Sequence, residues 1–383
     1  MAGAKNTGIY PNRFEQIGIS EAQVNARLEA IFQDMFYGDG DTRIYHPVDP
    51  DMGYMEDTGN HDARTEGMSY GMMMCVQTDH KEEFDRIWKW AKTYMYMEDG
   101  ANAGYFSWSN APDGSKNAYG PAPDGEEYFV MALFFASHRW GDGEGIFEYS
   151  REAREILHTM INKKSPDGKN GREMFAPENH YIRFITEVDF TDPSYHLPHF
   201  YELCAEYTEG EDAEYMKEAA KCSREYLHNA LHPETALNPE YSYYDGTPYP
   251  FGTEIWGRHD WFYSDAYRTI MNIALDSLWF DADPWEKEIT AKHLDYWVNK
   301  VDEADWNTVR LVDGTPVEDM KVLHPIGLLA TIAAAALVNE DANAEYMLNK
   351  FWNTPLRDGD RRYYDNCLYF FAFLMLSGNY RIY

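Results

Sequence analysis

The chain has 383 residues and carries 65 acidic against 33 basic side chains, a formal net charge of −32. That length can bury a large core, and that charge repels phosphate backbones and anionic bilayers, so nucleic acid and membrane surfaces are excluded as partners. Aromatic residues make up 16% of the chain, with 30 Tyr and 11 Trp, enough to fill a core and still leave flat rings for stacking on sugars.

Ser20 opens the first clear helix, with Gln23 completing a capping box and Val24, Leu28, Ile31, Phe32, Met35 and Phe36 forming an apolar stripe at three- and four-residue spacing. Gly38 to Asp41 ends it. A polar connection, Tyr45 to Asn60, leads to the helix of Glu66, where Thr65 offers a capping hydroxyl and Met68, Tyr70, Met72 and Met73 make the following turns apolar. Glu82 to Met97 is amphipathic, Gly125 to Trp140 almost wholly apolar, and Ser150 to Asn162 amphipathic again. Tyr195 to Tyr207 is apolar, with Pro198 tolerable in its first turn, and Asp212 to Ala230 is amphipathic. Ser264 to Trp279 is apolar, and Asp283-Pro284-Trp285-Glu286 reads as a capping box opening an amphipathic helix to Lys300. Pro325 to Val338 is apolar, Asn343 to Trp352 amphipathic and Tyr364 to Leu376 apolar.

Six amphipathic and six apolar helices thus alternate strictly, with no linker between them. Helices that are apolar on nearly all sides need complete burial, and a ring of six inner helices wrapped by six outer ones supplies it. The expected architecture is an all-α (α/α)6 barrel, one domain over 1–383. The connections Lys163 to Asp192 and His232 to Trp261 are too long for simple helix links and are expected to carry short strands, with Tyr243-Tyr244-Asp245-Gly246 as a hairpin turn.

Cys75, Cys204, Cys222 and Cys367 lie far apart and form no CxxC pair, so they are read as reduced. Residues 1–13 lack the basic start and apolar stretch of a secretory signal, and no apolar run reaches the roughly 18 residues a membrane span needs. The expectation is a soluble, cytoplasmic protein, with a monomer favoured. His196 and His199 sit three apart without a third ligand, and Asp39-Gly40-Asp41 and Asp49-Pro50-Asp51 lack a calcium-loop pattern, so neither metal nor cofactor is expected.

In such a ring the inner helices all start at one end, and what precedes each of them is polar and reactive. In order these starts hold Glu66, Asp124, Asp192 with Tyr195, Asp265, His324 and Asp365. Any one acid could be an ordinary cap, because carboxylates favour helix N-termini. Their convergence on one mouth makes chemistry the better reading. Two carboxylates across an aromatic-lined cleft are the minimum equipment for glycoside hydrolysis, acting as acid and base when roughly 6.5–9.5 Å apart and as acid and nucleophile when closer.

The segments Arg64 to Met72, Ala122 to Phe129, Asp192 to Tyr195, Ser264 to Arg268 and Arg362 to Asn366 together resemble glycoside hydrolase family 8, and within it the group that releases xylose from the reducing end of xylo-oligosaccharides. The resemblance runs over nearly the whole chain and implies the same barrel and an inverting reaction. It implies Glu66 as general acid, Asp265 as general base, Asp124 as a third acid holding a distorted sugar, and Tyr195 as a residue that helps to place the attacking water. Trp108 matches a sugar-stacking tryptophan. Arg268 is implied as a hydrogen-bonding clamp and Tyr364 as a subsite wall. Leu323-His324-Pro325 matches a kinked loop that closes the leaving-group side, with His324 bonding the anomeric hydroxyl of the terminal xylose. The stretch Tyr249 to Trp261 follows the family pattern least well.

Two further classes stay open on sequence alone. An endo-acting xylanase or glucanase would use the same fold, while a polysaccharide lyase or sugar epimerase would use Tyr195 or His324 as a base on a uronic acid. The acidic charge and the lack of a dense basic cluster speak against an anionic substrate. A carbohydrate-binding protein without activity would need none of the acids.

Overall fold

The computed structural model describes residues 2–250 and 258–383; residues 251–257, inside the poorly matching stretch, lie outside it. After a single helical turn α1 (Ala4–Thr7), twelve α-helices follow in sequence order among the described residues, with short 3-10 and π turns between them. The outer ones are α2 (Glu21–Tyr37), α4 (Lys81–Trp90), α6 (Tyr149–Asn162), α8 (Gly210–Ala230), α10 (Trp285–Asp295) and α12 (Ala342–Trp352). The inner ones are α3 (Thr65–Thr78), α5 (Pro123–Trp140), α7 (Pro198–Tyr207), α9 (Tyr267–Phe280), α11 (Pro325–Ala334) and α13 (Arg362–Leu376). Each inner helix packs on the next, and α13 packs back on α3, which closes the ring; each outer helix packs on an inner neighbour. This is the (α/α)6 barrel.

Burial follows the pattern of apolar residues. Every residue of α13 is buried, as is the run from Gly67 to Gln77 of α3, whereas α4 buries only Phe84, Ile87, Trp88 and Trp90. A helix that is apolar all round gains from burial on every side, while a striped one gains only on its stripe, so the alternation in sequence becomes the alternation of layers. At the N-terminal ends the inner helices approach closely: a Cβ at Gly125 of α5 would sit 2.4 Å from Thr65 Cβ of α3, so only glycine allows the contact. No described helix is long and apolar enough to cross a membrane, and the four cysteines are unpaired.

Several local expectations are corrected. Ser20 and Gln23 do form a reciprocal capping box. Thr65, by contrast, does not cap α3: its hydroxyl is buried without a hydrogen-bond partner, while its N–H donates to Trp108 O at 3.0 Å. Asp283 accepts from Trp285 N–H at 3.0 Å, but Glu286 completes no box, because its carboxyl is buried against Asp276. The stretch expected as one helix from Tyr195 divides into a turn of 3-10 helix, Pro193–Tyr195, and α7. Pro198 cannot donate to a preceding turn and therefore starts a new helix. A similar 3-10 turn, Ser264–Ala266, precedes α9.

Among the described residues, most strands lie outside the two long connections where short strands were expected; only β5 begins in one of them, on Trp261. The supposed polar connection after α2 holds the hairpin β1 (Tyr45–Val48) and β2 (Met52–Met55). β3 (Ala63–Arg64) pairs with β4 (Ser109–Asn110), which brings Trp108 beside the start of α3. β5 (Trp261–Phe262), β6 (Thr308–Leu311) and β7 (Pro316–Lys321) form an antiparallel sheet in that order. Asp313-Gly314, with Gly314 at φ +90°, turns the chain between β6 and β7 and was the legible signal for them. Among the described residues, the two long connections contribute isolated bridges such as Phe175–Ile182 and Thr191–Ser242, and the turn at Tyr243–Gly246 closes the bridge Ser242–Pro248. The three-stranded sheet matters for the site: β5 leads directly to Asp265, and β7 leads directly to Leu323 and His324.

Candidate active site

The guanidinium of Arg268, in the first turn of α9, is the centre around which the helix starts converge. It is 3% exposed. Its Nη1 donates to Glu66 Oε2 at 2.9 Å, to Asp124 Oδ2 at 3.1 Å and to Tyr70 Oη at 3.1 Å. Its Nη2 lies 3.4 Å from Asp265 Oδ1 and 3.6 Å from Asp192 Oδ2. Four carboxyl groups from four successive inner-helix starts therefore share one cation, which also faces the rings of Tyr195 and Tyr364, 5.5 and 5.9 Å from their centroids.

The acids differ in surroundings. Glu66 is held from both sides, by Arg268 and by Tyr363, whose hydroxyl donates to Glu66 Oε1 at 2.8 Å. Burial raises its pKa to about 7; Arg268 opposes this, and the charge of Asp124 adds to it. Asp124 is raised to about 6, again by burial first and against the pull of Arg268. Asp265 has the most open side chain of the three, 29% exposed against 16% for Glu66 and 9% for Asp124. Its N–H points at Glu240 Oε1, 3.4 Å away, and the preceding Ser264 adopts φ +34°, a left-handed conformation uncommon for serine. Such strain is tolerated where the surrounding contacts over-determine it; here the Ser264 carbonyl is held by the Tyr364 hydroxyl at 3.1 Å.

Two chambers meet at these acids. The larger, about 510 Å³, is lined by Trp108, Phe184, Tyr195 and Tyr241 together with Asp124 and Arg268. The smaller, about 210 Å³, is lined by Leu323, His324, Tyr363 and Tyr364. Glu66 and Asp265 line both. Aromatic walls with a few convergent polar groups suit a sugar ring, which has flat C–H faces and a polar rim.

His324 is fixed by a neighbour rather than by its own helix. Its Nδ1–H donates to Asp365 Oδ2 at 2.9 Å, and its ring meets that of Tyr364 edge-on at 4.8 Å. Asp365 is fully buried; its Oδ1 accepts from the N–H groups of Ile326 and Gly327, both at 2.8 Å, and so caps α11 from outside that helix. In the neutral ring this leaves Nε2 as an acceptor, on a residue that lines the small chamber.

All eight residues singled out from sequence line these chambers: Glu66, Asp124, Asp265, Tyr195, Trp108 and Arg268 the larger, His324 and Tyr364 the smaller. Asp192 and Asp365 bind neighbouring chain instead of facing open space: Asp192 Oδ1 caps the turn at Ser194, and Asp365 serves α11. Sequence reasoning missed Tyr363 as a partner of Glu66. The signal for it was Gly67, where a Cβ would stand 2.6 Å from the Tyr363 hydroxyl, so that any larger residue would push the tyrosine off the acid. Glu240, far from Asp265 in sequence, carried no signal at all.

Comparison with known proteins agrees with this geometry. The profile of Glycosyl hydrolases family 8 matches residues 51–378. The chain is 51% identical to the reducing-end xylose-releasing exo-oligoxylanase Rex8A of Paenibacillus barcinonensis over 100% of its own length and 98% of that protein. It is 52% identical to the reducing end xylose-releasing exo-oligoxylanase of Halalkalibacterium halodurans, over 99% of this chain and 96% of that one. The solved structure of Rex8A from Paenibacillus barcinonensis complexed with xylose superposes with a TM-score of 0.95, covering 100% of this chain and 99% of that chain. The chain is thus a glycoside hydrolase and belongs to the Glycosyl hydrolases family 8.

Proposed function

We propose that this enzyme removes a single xylose from the reducing end of short xylo-oligosaccharides, with inversion at the cleaved centre. The observation that carries the reading is the division of the cleft at Glu66 and Asp265 into a larger aromatic chamber of about 510 Å³ and a smaller one of about 210 Å³ lined by Leu323 and His324. The oligosaccharide lies in the larger chamber, stacked on Trp108, with its last residue in the smaller. The names of the relatives, reducing-end xylose-releasing exo-oligoxylanases, support the same reading.

Glu66 is the general acid. A carboxyl raised to about 7 by burial still holds its proton near neutrality, and it gives that proton to the oxygen leaving with the terminal xylose. Asp265, the more open carboxylate, is the general base that takes a proton from water on the opposite face. Tyr195 helps to orient that water, and Asp124 holds the sugar beside the cut in a distorted ring form. Arg268 keeps the acids in register and Tyr364 walls the smaller chamber. His324 accepts from the anomeric hydroxyl through Nε2. An endo-acting enzyme would need the small chamber open at its far end. The unpaired thiols fit a reducing compartment, and we assign the protein to the cytoplasm.

Xylotriose labelled at its reducing end tests the reading: the label is expected in free xylose, and the new end of the xylobiose is expected in the configuration opposite to that of the cleaved bond. Label in xylobiose, or retention, would overturn it. The alkaline limb of the pH profile is a second check. Because the pKa of Glu66 is raised, its acid form is present below about pH 7 and lost above it, so kcat/KM is expected to fall about tenfold per pH unit beyond that point. Glu66→Gln should lack this limb.

A further inference from the structure

Arg357 lies in the connection between α12 and α13, and nothing in the proposed chemistry requires it. Its backbone is nevertheless locked to α13 near its start: Arg357 N–H donates to Asn366 Oδ1, and Asn366 Nδ2 donates to Arg357 O, both at 2.8 Å. From that anchor its Nη1 makes two bonds, one to Asp365 Oδ2 at 2.6 Å and one to the carbonyl of Leu323 at 2.7 Å. Asp365 Oδ2 is the same oxygen that accepts from His324. One side chain thus holds both the backbone of the residue before His324 and the carboxylate that orients its ring.

The two contacts act on different degrees of freedom. The bond to Leu323 O sets the path of the chain as it leaves β7 and turns into α11. The bond to Asp365 supplies a cation to a buried carboxylate that otherwise has only neutral or weakly basic partners, namely His324 and the two N–H groups of α11. Leu323 itself gains little from packing, being 37% exposed, so the apolar effect does not hold this corner closed. The guanidinium does: the two N–H groups of Nη1 lie in the fixed plane of the group and serve the two oxygens, and a lysine, shorter and ending in a freely rotating ammonium, could replace the charge but not that placement.

Resting on the exo-acting reading above, we propose that Arg357 is a positioning residue for product size: it holds the Leu323-His324 corner shut, so that only one sugar fits beyond the cut. Without it the corner relaxes, the small chamber opens, and oligosaccharides with two or more sugars beyond the cut are accepted.

The test uses the full chain as wild type, Arg357→Ala and Arg357→Lys, with xylopentaose labelled at its reducing end and early products separated by length. Labelled xylobiose and xylotriose, minor for the wild type, are expected to rise about tenfold for Arg357→Ala, and KM for xylotriose to rise about tenfold while kcat falls no more than about threefold, the scale of losing charge-assisted hydrogen bonds. Arg357→Lys should lie between the two. A folded Arg357→Ala that still releases only labelled xylose with an unchanged KM would overturn the proposal, as would a fall in kcat with the product pattern intact. If Arg357→Ala does not fold, Arg357→Lys decides by the same readouts, a wild-type pattern counting against the proposal. Failure of the parent reading is seen separately, in the wild type itself, if its label never appears in free xylose.

Discussion

Glu66→Gln is expected to lower kcat on xylotriose by about three orders of magnitude while leaving KM nearly unchanged, within the range that removal of a general acid produces. Glutamine keeps the length of the side chain: its one amide oxygen can still accept from Arg268 in place of Glu66 Oε2, held at 2.9 Å, while its NH2 group can donate to the Tyr363 hydroxyl, which lies 2.8 Å from Oε1. What it lacks is the proton. The loss should therefore depend on the leaving group: a xylobiosyl fluoride, whose departing fluoride needs little protonation, is expected to lose no more than about tenfold with the same variant. Equal losses on the two substrates would mean that Glu66 serves binding or folding instead. Circular dichroism of the variant, compared with the wild type, separates a chemical loss from an unfolded barrel.

Asp265→Asn is expected to lower turnover of xylotriose and of the fluoride alike, by about three orders of magnitude, because water must be activated whichever group departs. The contrast with Glu66 is the informative part. Glu66 is wedged between α3, α9 and α13, while Asp265 stands at the end of β5 with its side chain 29% exposed and its nearest cation contact at 3.4 Å. Two carboxyl groups in one cleft acquire different duties when one is buried and the other is left in reach of water. An Asp265→Asn enzyme that spared the fluoride but not the oligosaccharide would reverse the two assignments.

Val24, Phe32 and Met35 could be read as one helix face, and Tyr364 to Leu376 as a segment buried on all sides, because helix periodicity is local: residues three and four apart share a face whatever the rest of the chain does. The ring and its layers follow from that alternation, and so does the gathering of Glu66, Asp124, Asp265 and His324 at one end, since each stands where an apolar helix starts. Short strands were another matter. β3, β4 and β5 are two residues each, too short for any alternation to register, and only the Asp313-Gly314 turn marked the sheet that delivers Asp265 and His324.

The sequence by itself therefore determined the barrel, the order of its helices and which acids share its mouth. The tertiary structure alone decided their partners. Glu66 meets Arg268 across 202 residues and Tyr363 across 297, and His324 meets Asp365 across 41. The pKa of an acid and the size of a chamber depend on burial and on charges a few ångströms away, and those neighbours come from distant parts of the chain that no local pattern connects.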